Sequence, residues 1–196
     1  MHVKLIAGLL PARMLETRGS AIIFINWRVA SIFREDMPME PLKIPKMTKA
    51  EYDALVERQY VSRIAFIGKG NPYIAPFMYV FDKKYLYFLS SRYGRKMEYF
   101  AANPQVSVEI EEYTPELSSF TFVSLQGMLE EVQDPEQKTK VRRQFAAMIK
   151  KRKLSSNVLT AFGYSSHDPV EAIVSGERSA VWKLVGVKDI VALKNG

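Results

Sequence analysis

The chain has 196 residues, with 28 Lys and Arg against 21 Asp and Glu, which gives a formal net charge of +7. Hydrophobic residues make up 47% of the sequence, far more than in a disordered basic tail, so we expect one folded domain with a core. The absence of cysteine excludes disulfides, thiol nucleophiles and cysteine zinc sites, and it favours a cytoplasmic location. No apolar run of about 18 residues occurs, so no membrane-spanning helix is expected.

The positive charge is concentrated in one segment. Residues 136–153 contain eight Lys and Arg and one Glu, 8 − 1 = +7, so the rest of the chain is neutral. One alternative is that a basic helix over residues 138–153 docks on nucleic acid or an acidic partner. The segment lacks interleaved aromatic residues and any recognised nucleic-acid motif, so we favour a solvated helix whose apolar stripe packs on the core.

The first 46 residues differ from the remainder and are predicted to be an extension preceding a domain at residues 47–196. They combine an apolar patch, scattered arginines and a Pro-rich stretch at 37–45. Asn26 and Arg28 interrupt the patch and no small-residue cleavage site follows, so a secretory signal is not expected. Methionines at the end of this segment suggest an upstream start codon and a dispensable first part, residues 1–36.

The elements that follow predict a barrel. Thr48 and Glu51 form a capping-box pattern that opens a helix, and Asp134-Pro135 opens a second helix. Gly127 in a long strand predicts a bulge or a close approach. Six or seven antiparallel strands with inserted helices favour a mainly β fold, a closed barrel that leaves no sheet edge. The predicted strands cover residues 61–67, 73–81, 85–89, 106–111, 120–132, 172–174 and 180–187, and the predicted helices cover 48–59, 94–102 and 135–153.

The segment at residues 87–96 carries the strongest chemical signal. A predicted strand ends in Ser90 and Ser91, the chain turns at Gly94, and Arg95 and Lys96 begin a helix. Free backbone N–H groups, the positive end of the helix dipole, two cations and two hydroxyls would then meet at one place. The pattern indicates a phosphate site, and the alternative is an ordinary turn followed by a solvated helix start.

Residues 62–132 resemble the flavin-binding split barrel of the pyridoxamine 5′-phosphate oxidase-like superfamily, and especially its nitroimidazole-resistance-like branch. The resemblance rests on an ordered set of segments and extends over most of the chain from residue 47. These segments are Arg63-Ile64-Ala65-Phe66-Ile67, Pro72-Tyr73-Ile74-Ala75-Pro76-Phe77 with Tyr79 and Asp82, Leu86-Tyr87-Phe88 with Ser90-Ser91, Gly94-Arg95-Lys96, Asn103-Pro104 and Val106-Ser107-Val108.

The resemblance implies an FMN-binding split barrel that forms an obligate-type homodimer with the flavin at the interface. By position, the resemblance implies that Arg95 and Lys96 bind the FMN phosphate and that Ser90 and Ser91 make further contacts with the cofactor. The remaining implied cofactor-binding residues are Ile74, Ala75, Pro76 and Phe77 along the second strand, with Phe122 and Trp182 reaching across the dimer.

Two departures narrow the implied activity. Relatives in the nitroimidazole-resistance branch often carry a histidine where this chain has Leu89, so chemistry that depends on that imidazole is in doubt. The C-terminal Arg and His substrate motif of true pyridoxamine phosphate oxidases has no counterpart between Ser175 and Gly196, so we do not expect oxidation of pyridoxamine phosphate. The expected function is an oxidoreductase that passes hydride or electrons from a reduced nicotinamide through FMN to an unidentified acceptor. A deazaflavin in the same groove is the alternative cofactor.

Overall fold

The computed structural model describes residues 44–68 and 70–195, which form an antiparallel barrel of six strands with helices on its outside. The predicted mainly β fold with inserted helices is confirmed, and predictions for residues 1–43 lie outside the described residues. The strands are β1 (Val61–Gly68), β2 (Asn71–Phe81), β3 (Leu86–Ser91), β4 (Gln105–Tyr113), β5 (Phe120–Glu131) and β6 (Ser179–Asn195). The helices are α1 (Lys49–Arg58), α2 (Arg95–Ala102), α3 (Pro135–Lys151) and α4 (Ala172–Ser175), with a 3₁₀ helix at Ser156–Phe162.

The barrel closes in the order β1-β2-β3-β6-β5-β4, and β4 returns to pair with β1. The pairing of β1 with β2 runs without a break from Val61↔Met78 to Gly68↔Asn71. Short connections place β1, β2 and β3 side by side, because hairpin-linked strands pair with their sequence neighbours, and the barrel closes through the long-range pairings of β3 with β6 and of β4 with β1. The chain before α1 adds an isolated bridge at Lys46↔Leu193 beside β6.

Local sequence signals set the helix boundaries. The Thr48 hydroxyl accepts a hydrogen bond from the backbone N–H of Glu51, and the Glu51 carboxylate accepts one from the backbone N–H of Thr48 at 2.7 Å. The predicted capping box is therefore confirmed. At α3, the Asp134 carboxylate accepts from the backbone N–H of Gln137 at 2.8 Å, and Pro135 occupies the first helical position.

Two apolar cores lie on opposite faces of the sheet. The barrel interior is filled by aromatic side chains, among which Phe66, Phe88 and Trp182 are fully buried. Phe145 and Ile149 of α3 belong to the second core, where they pack with buried side chains on the outside of β3 and β6. The apolar stripe of the basic helix is thus buried, which is the arrangement favoured from its sequence.

The C-terminal third differs from the prediction in two places. The prediction of a strand at residues 172–174 is wrong, because these residues form the short helix α4. In this helix the Gly176 N–H donates to the Ala172 carbonyl at 3.0 Å, and Ile173 is buried against α3. The segment has β-forming residues but no adjacent strand to pair with. The last strand is longer than predicted, since β6 continues to Asn195.

The predicted irregularity at Gly127 is confirmed as a register shift between Gln126 and Met128 in the β5–β6 pairing. Added to Gly127, a Cβ atom would lie 2.7 Å from the carbonyl oxygen of Val185. Because such a contact is closer than van der Waals packing allows, only glycine fits where β6 bulges across β5.

Candidate functional site

The barrel is split between β2 and β3. These strands pair only at Tyr79↔Phe88, Val80↔Tyr87 and Phe81↔Leu86. Beyond these pairs β3 continues along β6, through Ser91↔Ser179, whereas β2 continues along β1. The edge of β2 at residues 71–78 therefore has no strand partner among the described residues on the side facing β3.

Backbone polar groups of β2 point into this split. The Tyr79 N–H donates to the Tyr60 carbonyl at 2.9 Å, which directs Tyr79 toward the β1 side. Since backbone groups alternate between the two sides of a strand, those of Ile74 and Pro76 face the open edge. Pro76 lacks an N–H, so its position at an unpaired edge leaves no strand hydrogen bond unmade.

The side chains of the predicted β2 segment alternate between two environments. Ala75 and Phe77 are buried inside the barrel, whereas Ile74 and Pro76 are exposed on the outer surface. A planar ligand along this edge would therefore meet backbone amides and an apolar outer surface. Neither environment supplies an acid or a base.

Helix α2 begins beside the split. Gly94 stands at its N-cap with φ of 89°, a conformation that glycine adopts without strain, and it has no side chain to accept from the first-turn amides. The guanidinium carbon of Arg95 lies 5.8 Å from the Tyr73 ring centroid, and the Lys96 ammonium lies 6.0 Å from that of Tyr93. Neither cation forms an ion pair with any described carboxylate.

The electrostatics of Lys96 fit an anion site. Its side chain is half-buried, and desolvation lowers the pKa of its ammonium below the ordinary value of 10.5. No charged neighbour offsets that desolvation. A bound phosphate would supply the missing negative charge and favour the charged ammonium.

The predicted serines sit at the end of β3. Ser90 and Ser91 are both buried, and the Ser90 hydroxyl donates to the Ser91 carbonyl at 3.0 Å. Their position next to the turn at Gly94 places them near the start of α2 along the chain. Contacts of these two serines with a cofactor stay a prediction.

Two predicted residues lie elsewhere. Trp182 is 0% exposed in the barrel interior, with its ring centroid 4.7 Å from that of Phe100. Phe122 is half-buried on β5, where it lines a shallow pocket of about 270 Å³ together with Tyr113 and Phe120. Contacts of Trp182 and Phe122 with a cofactor across a dimer stay predictions.

Several other charged side chains of the barrel and of the basic helix already have partners within the protein. Glu111 pairs with Arg63, and Glu112 pairs with Arg58. On the basic helix, Lys150 pairs with Glu171, and the Arg152 guanidinium lies over the Tyr60 ring. Two cations of the basic helix therefore have partners on the protein surface.

Sequence reasoning missed the contacts of Tyr73 and Tyr93 with the two cations. Tyr73 also packs on Tyr99 of α2, with ring centroids 5.3 Å apart. No local sequence pattern distinguishes an aromatic ring that packs inside a barrel from one that lies next to a cation. Folding of α2 onto the β1–β2 hairpin creates the contact of Arg95 with Tyr73, whereas Lys96 meets Tyr93 three residues before it in the chain.

No helix among residues 44–195, residue 69 apart, has the length and apolarity that crossing a membrane requires.

The fold is shared with solved structures of low sequence identity. An FAD-binding protein from Mesorhizobium loti is 20% identical, with 78% of this chain and 99% of that chain covered and a TM-score of 0.56. HutZ, the haem storage protein from Vibrio cholerae, is 14% identical, with 74% and 94% covered and a TM-score of 0.55. A proposed 5-nitroimidazole antibiotic resistance protein from Bacteroides thetaiotaomicron is 17% identical, with 78% and 90% covered and a TM-score of 0.50.

No curated protein matches the chain in sequence. The profile of the family described as pyridoxamine 5′-phosphate oxidase matches residues 48–174, about two thirds of the chain. This range runs from the cap of α1 into α4 and includes both sides of the split and the start of α2. The chain therefore belongs to the pyridoxamine 5′-phosphate oxidase family, within the superfamily of split barrels that its residues resemble.

Proposed function

We propose that the protein binds a phosphorylated flavin, FMN, in the split between β2 and β3. The observation that carries this proposal is the open edge of β2 beside two cations at the start of α2, Arg95 and Lys96, which form no ion pair with any described carboxylate. A flat heterocycle fits along an unpaired strand edge, and a phosphate fits at a helix start with two cations. The Mesorhizobium loti relative, named as an FAD-binding protein, supports the same class of ligand.

Each part of the site has a distinct task toward this ligand. The backbone groups of Ile74 and Pro76 would orient the ring edge, as unpaired strand groups do for an added strand. Arg95 and Lys96 would bind the phosphate, with Ser90 and Ser91 adding hydroxyl groups near it. Phosphate binding at one end then fixes the ring along the strand at the other.

The proposed activity is that of an oxidoreductase. A bound flavin would supply hydride and electron transfer, here from a reduced nicotinamide to an acceptor. The chain's own contribution is position and access, since the residues beside the split are apolar, cationic or hydroxylic. Leu89, which stands where relatives often carry a histidine, is buried in the second core. Because it is a leucine, it supplies no imidazole for acid–base chemistry.

We propose further that two copies of the chain form the complete site. Ile67 is 61% exposed and Ile74 is 62% exposed, and these apolar side chains lie on the neighbouring strands β1 and β2 beside the split. A second copy packed there would cover them and shield the ring from water. Sedimentation of the purified protein tests this: a monomer at micromolar concentration, with FMN bound, would contradict it.

Ligand titration tests the proposed function. The absorption spectrum of the purified full chain is recorded first, and FMN, riboflavin, FAD, a deazaflavin and haem are then added separately. We expect FMN at 100 times its dissociation constant to stabilise the fold by about 2.7 kcal/mol, which for a chain of this size raises Tm by about 5–10 °C.

The other ligands discriminate among alternatives. Riboflavin should bind more weakly than FMN because it lacks the phosphate. A larger shift with the deazaflavin would replace FMN by that cofactor, and a shift with haem alone would refute flavin binding. A colourless protein that none of these compounds stabilises would refute the proposal altogether.

A further inference from the structure

Arg142 is a buried cation on α3. It belongs neither to the apolar stripe of this helix nor to the candidate phosphate-binding pair, Arg95 and Lys96. The residue is 4% exposed, and its Nη2 donates to the carbonyl oxygen of Ser179 at 3.0 Å. Among the residues that the structure describes, its Nε has no hydrogen-bond partner, and neither does the hydroxyl of Ser179, which is fully buried. The side chain forms no ion pair with any described carboxylate.

No carboxylate among the described residues forms an ion pair with this charge. Two exposed arginines near the start of β6 differ from Arg142 because each forms an ion pair. Arg92 pairs with Glu131 at 3.1 Å, and Arg178 pairs with Asp168 at 3.4 Å. Burying an unpaired guanidinium is costly, and an unpaired buried charge acts over a longer range than an exposed one because salt screens it less. Arg142 is therefore a source of positive field inside the fold.

The sheet connects this charge to the candidate phosphate site. Ser179 is the register partner of Ser91, the last residue of β3 before the turn to Arg95. Opposite residues in antiparallel strands lie about 5 Å apart, so the 3.0 Å bond to Ser179 puts the guanidinium within roughly 10 Å of the Ser91 backbone. No contact between Arg142 and a ligand is required for an effect at this distance.

We propose that Arg142 is a buried cation that attracts the ligand phosphate electrostatically from inside the fold, near the end of β3. Its charge would raise the affinity of the protein for a phosphorylated flavin relative to an unphosphorylated one. Arg95 and Lys96 contact the phosphate from the front, and Arg142 acts through space behind Ser91 and Ser179. A phosphate next to Ser91 would lie about 10–15 Å from the guanidinium, and at an effective dielectric constant of about 20 one charge at that separation changes phosphate affinity by roughly 6- to 17-fold. This inference rests on the proposed flavin site and identifies a residue that strengthens it without touching the ligand.

The test measures the ratio of riboflavin to FMN dissociation constants, because only FMN carries the phosphate. Arg142→Gln keeps a donor for the Ser179 carbonyl and removes the charge, Arg142→Lys keeps the charge, and Arg143→Met is the matched control at an exposed position on the same helix. We expect the ratio to fall about tenfold in Arg142→Gln and to stay within about threefold in the other two. An unchanged ratio in folded Arg142→Gln, including equal weakening of both ligands, would show a purely structural role and overturn the inference.

Salt dependence provides a second measurement if Arg142→Gln does not fold. In the Arg95→Met, Lys96→Met double variant, a remaining FMN preference of about tenfold that persists from 0.05 to 1 M NaCl supports a buried cation, since exposed charges are screened in that range. Loss of all preference in that variant overturns the inference. Failure of the wild-type protein to bind either flavin refutes the proposed function itself, which distinguishes the two failures.

Discussion

Replacing Lys96 with Met should change ligand binding and the stability of the ligand-free protein in opposite directions. The ammonium of Lys96 is partly desolvated without an anionic partner among the described residues, which is why its pKa is lowered. Methionine has a similar length and no charge, so it removes the desolvation cost. We therefore expect Lys96→Met to raise the free energy of unfolding at pH 7 while it weakens FMN binding.

The pH dependence gives the sign of the stability effect. Because the pKa of Lys96 is lower in the folded protein than in the unfolded chain, the unfolded chain binds this proton more tightly. The contribution of Lys96 to the free energy of unfolding therefore rises with pH between its folded pKa and 10.5, and it is unfavourable below that window. Lys96→Met should remove this rise, which denaturant unfolding at a series of pH values would detect.

The binding effect can be estimated from the bond that is lost. A hydrogen bond to a charged group contributes about 1.5–3 kcal/mol, so FMN affinity should fall by about 10- to 150-fold, with riboflavin affinity little changed. Lys140→Met, at an exposed position on α3, is the control and should leave both affinities unchanged. A variant that is less stable than the wild type at pH 7 and binds FMN equally well would refute the reasoning on both counts.

Three further predictions concern the fold. Gly127→Ala should destabilise the protein by about 1–3 kcal/mol, since its Cβ would meet the Val185 carbonyl at 2.7 Å. Glu51→Gln should lose stability in full above pH 4.5 and progressively less below it: hydrogen bonds from Lys194 and the helix cap lower the pKa of Glu51 from 4.5 to about 2, so its contribution declines below pH 4.5 and disappears as the pH falls through about 2. Trp182→Ala should cost about 3–5 kcal/mol because the fully buried ring leaves a cavity in the barrel.

Denaturant unfolding measures all three changes, each with its own control. Ala101→Gly, on the exposed side of α2, shows what an exchange between alanine and glycine does at a position without a close neighbour. Wild-type stability in Gly127→Ala would contradict the close approach of a Cβ at this position to the Val185 carbonyl. For Glu51→Gln, a difference from wild type that persists undiminished at pH 2 would contradict the pKa argument. For Trp182→Ala, a loss below about 1 kcal/mol would show that the ring is not enclosed by the core.

Features that depend on neighbouring residues were predicted well. The capping box at Thr48 and Glu51 formed as expected, because both partners lie within one helical turn. The glycine turn before Arg95 and Lys96 likewise opens a helix, and Gly94 adopts at the cap a positive φ that glycine permits without strain. The assignment of the two cations to a phosphate remains a prediction that the geometry suits.

Features that depend on long-range pairing were predicted poorly or not at all. Residues 172–174 have strand-forming side chains, yet no strand lies beside them, so backbone hydrogen bonding is satisfied in the helix α4 instead. Trp182 alternates on β6 like any strand residue, and only the closure of the barrel shows that it lies inside. Periodicity identifies two faces of a strand but not what covers each face.

The sequence by itself determined the class of fold, the chain positions of most elements and the concentration of positive charge in one segment, because these follow from local periodicity and composition. The tertiary structure decided which of those cations is buried: Arg142 of the basic segment donates to the Ser179 carbonyl inside the fold, while Arg95 and Lys96, at the start of α2, lie outside the segment that carries the surplus. It also decided where the barrel opens, since the split exists only because β3 leaves β2 to pair with β6. A pairing between strands about ninety residues apart cannot be read from either strand alone, because the free energy that selects it comes from the closed barrel as a whole.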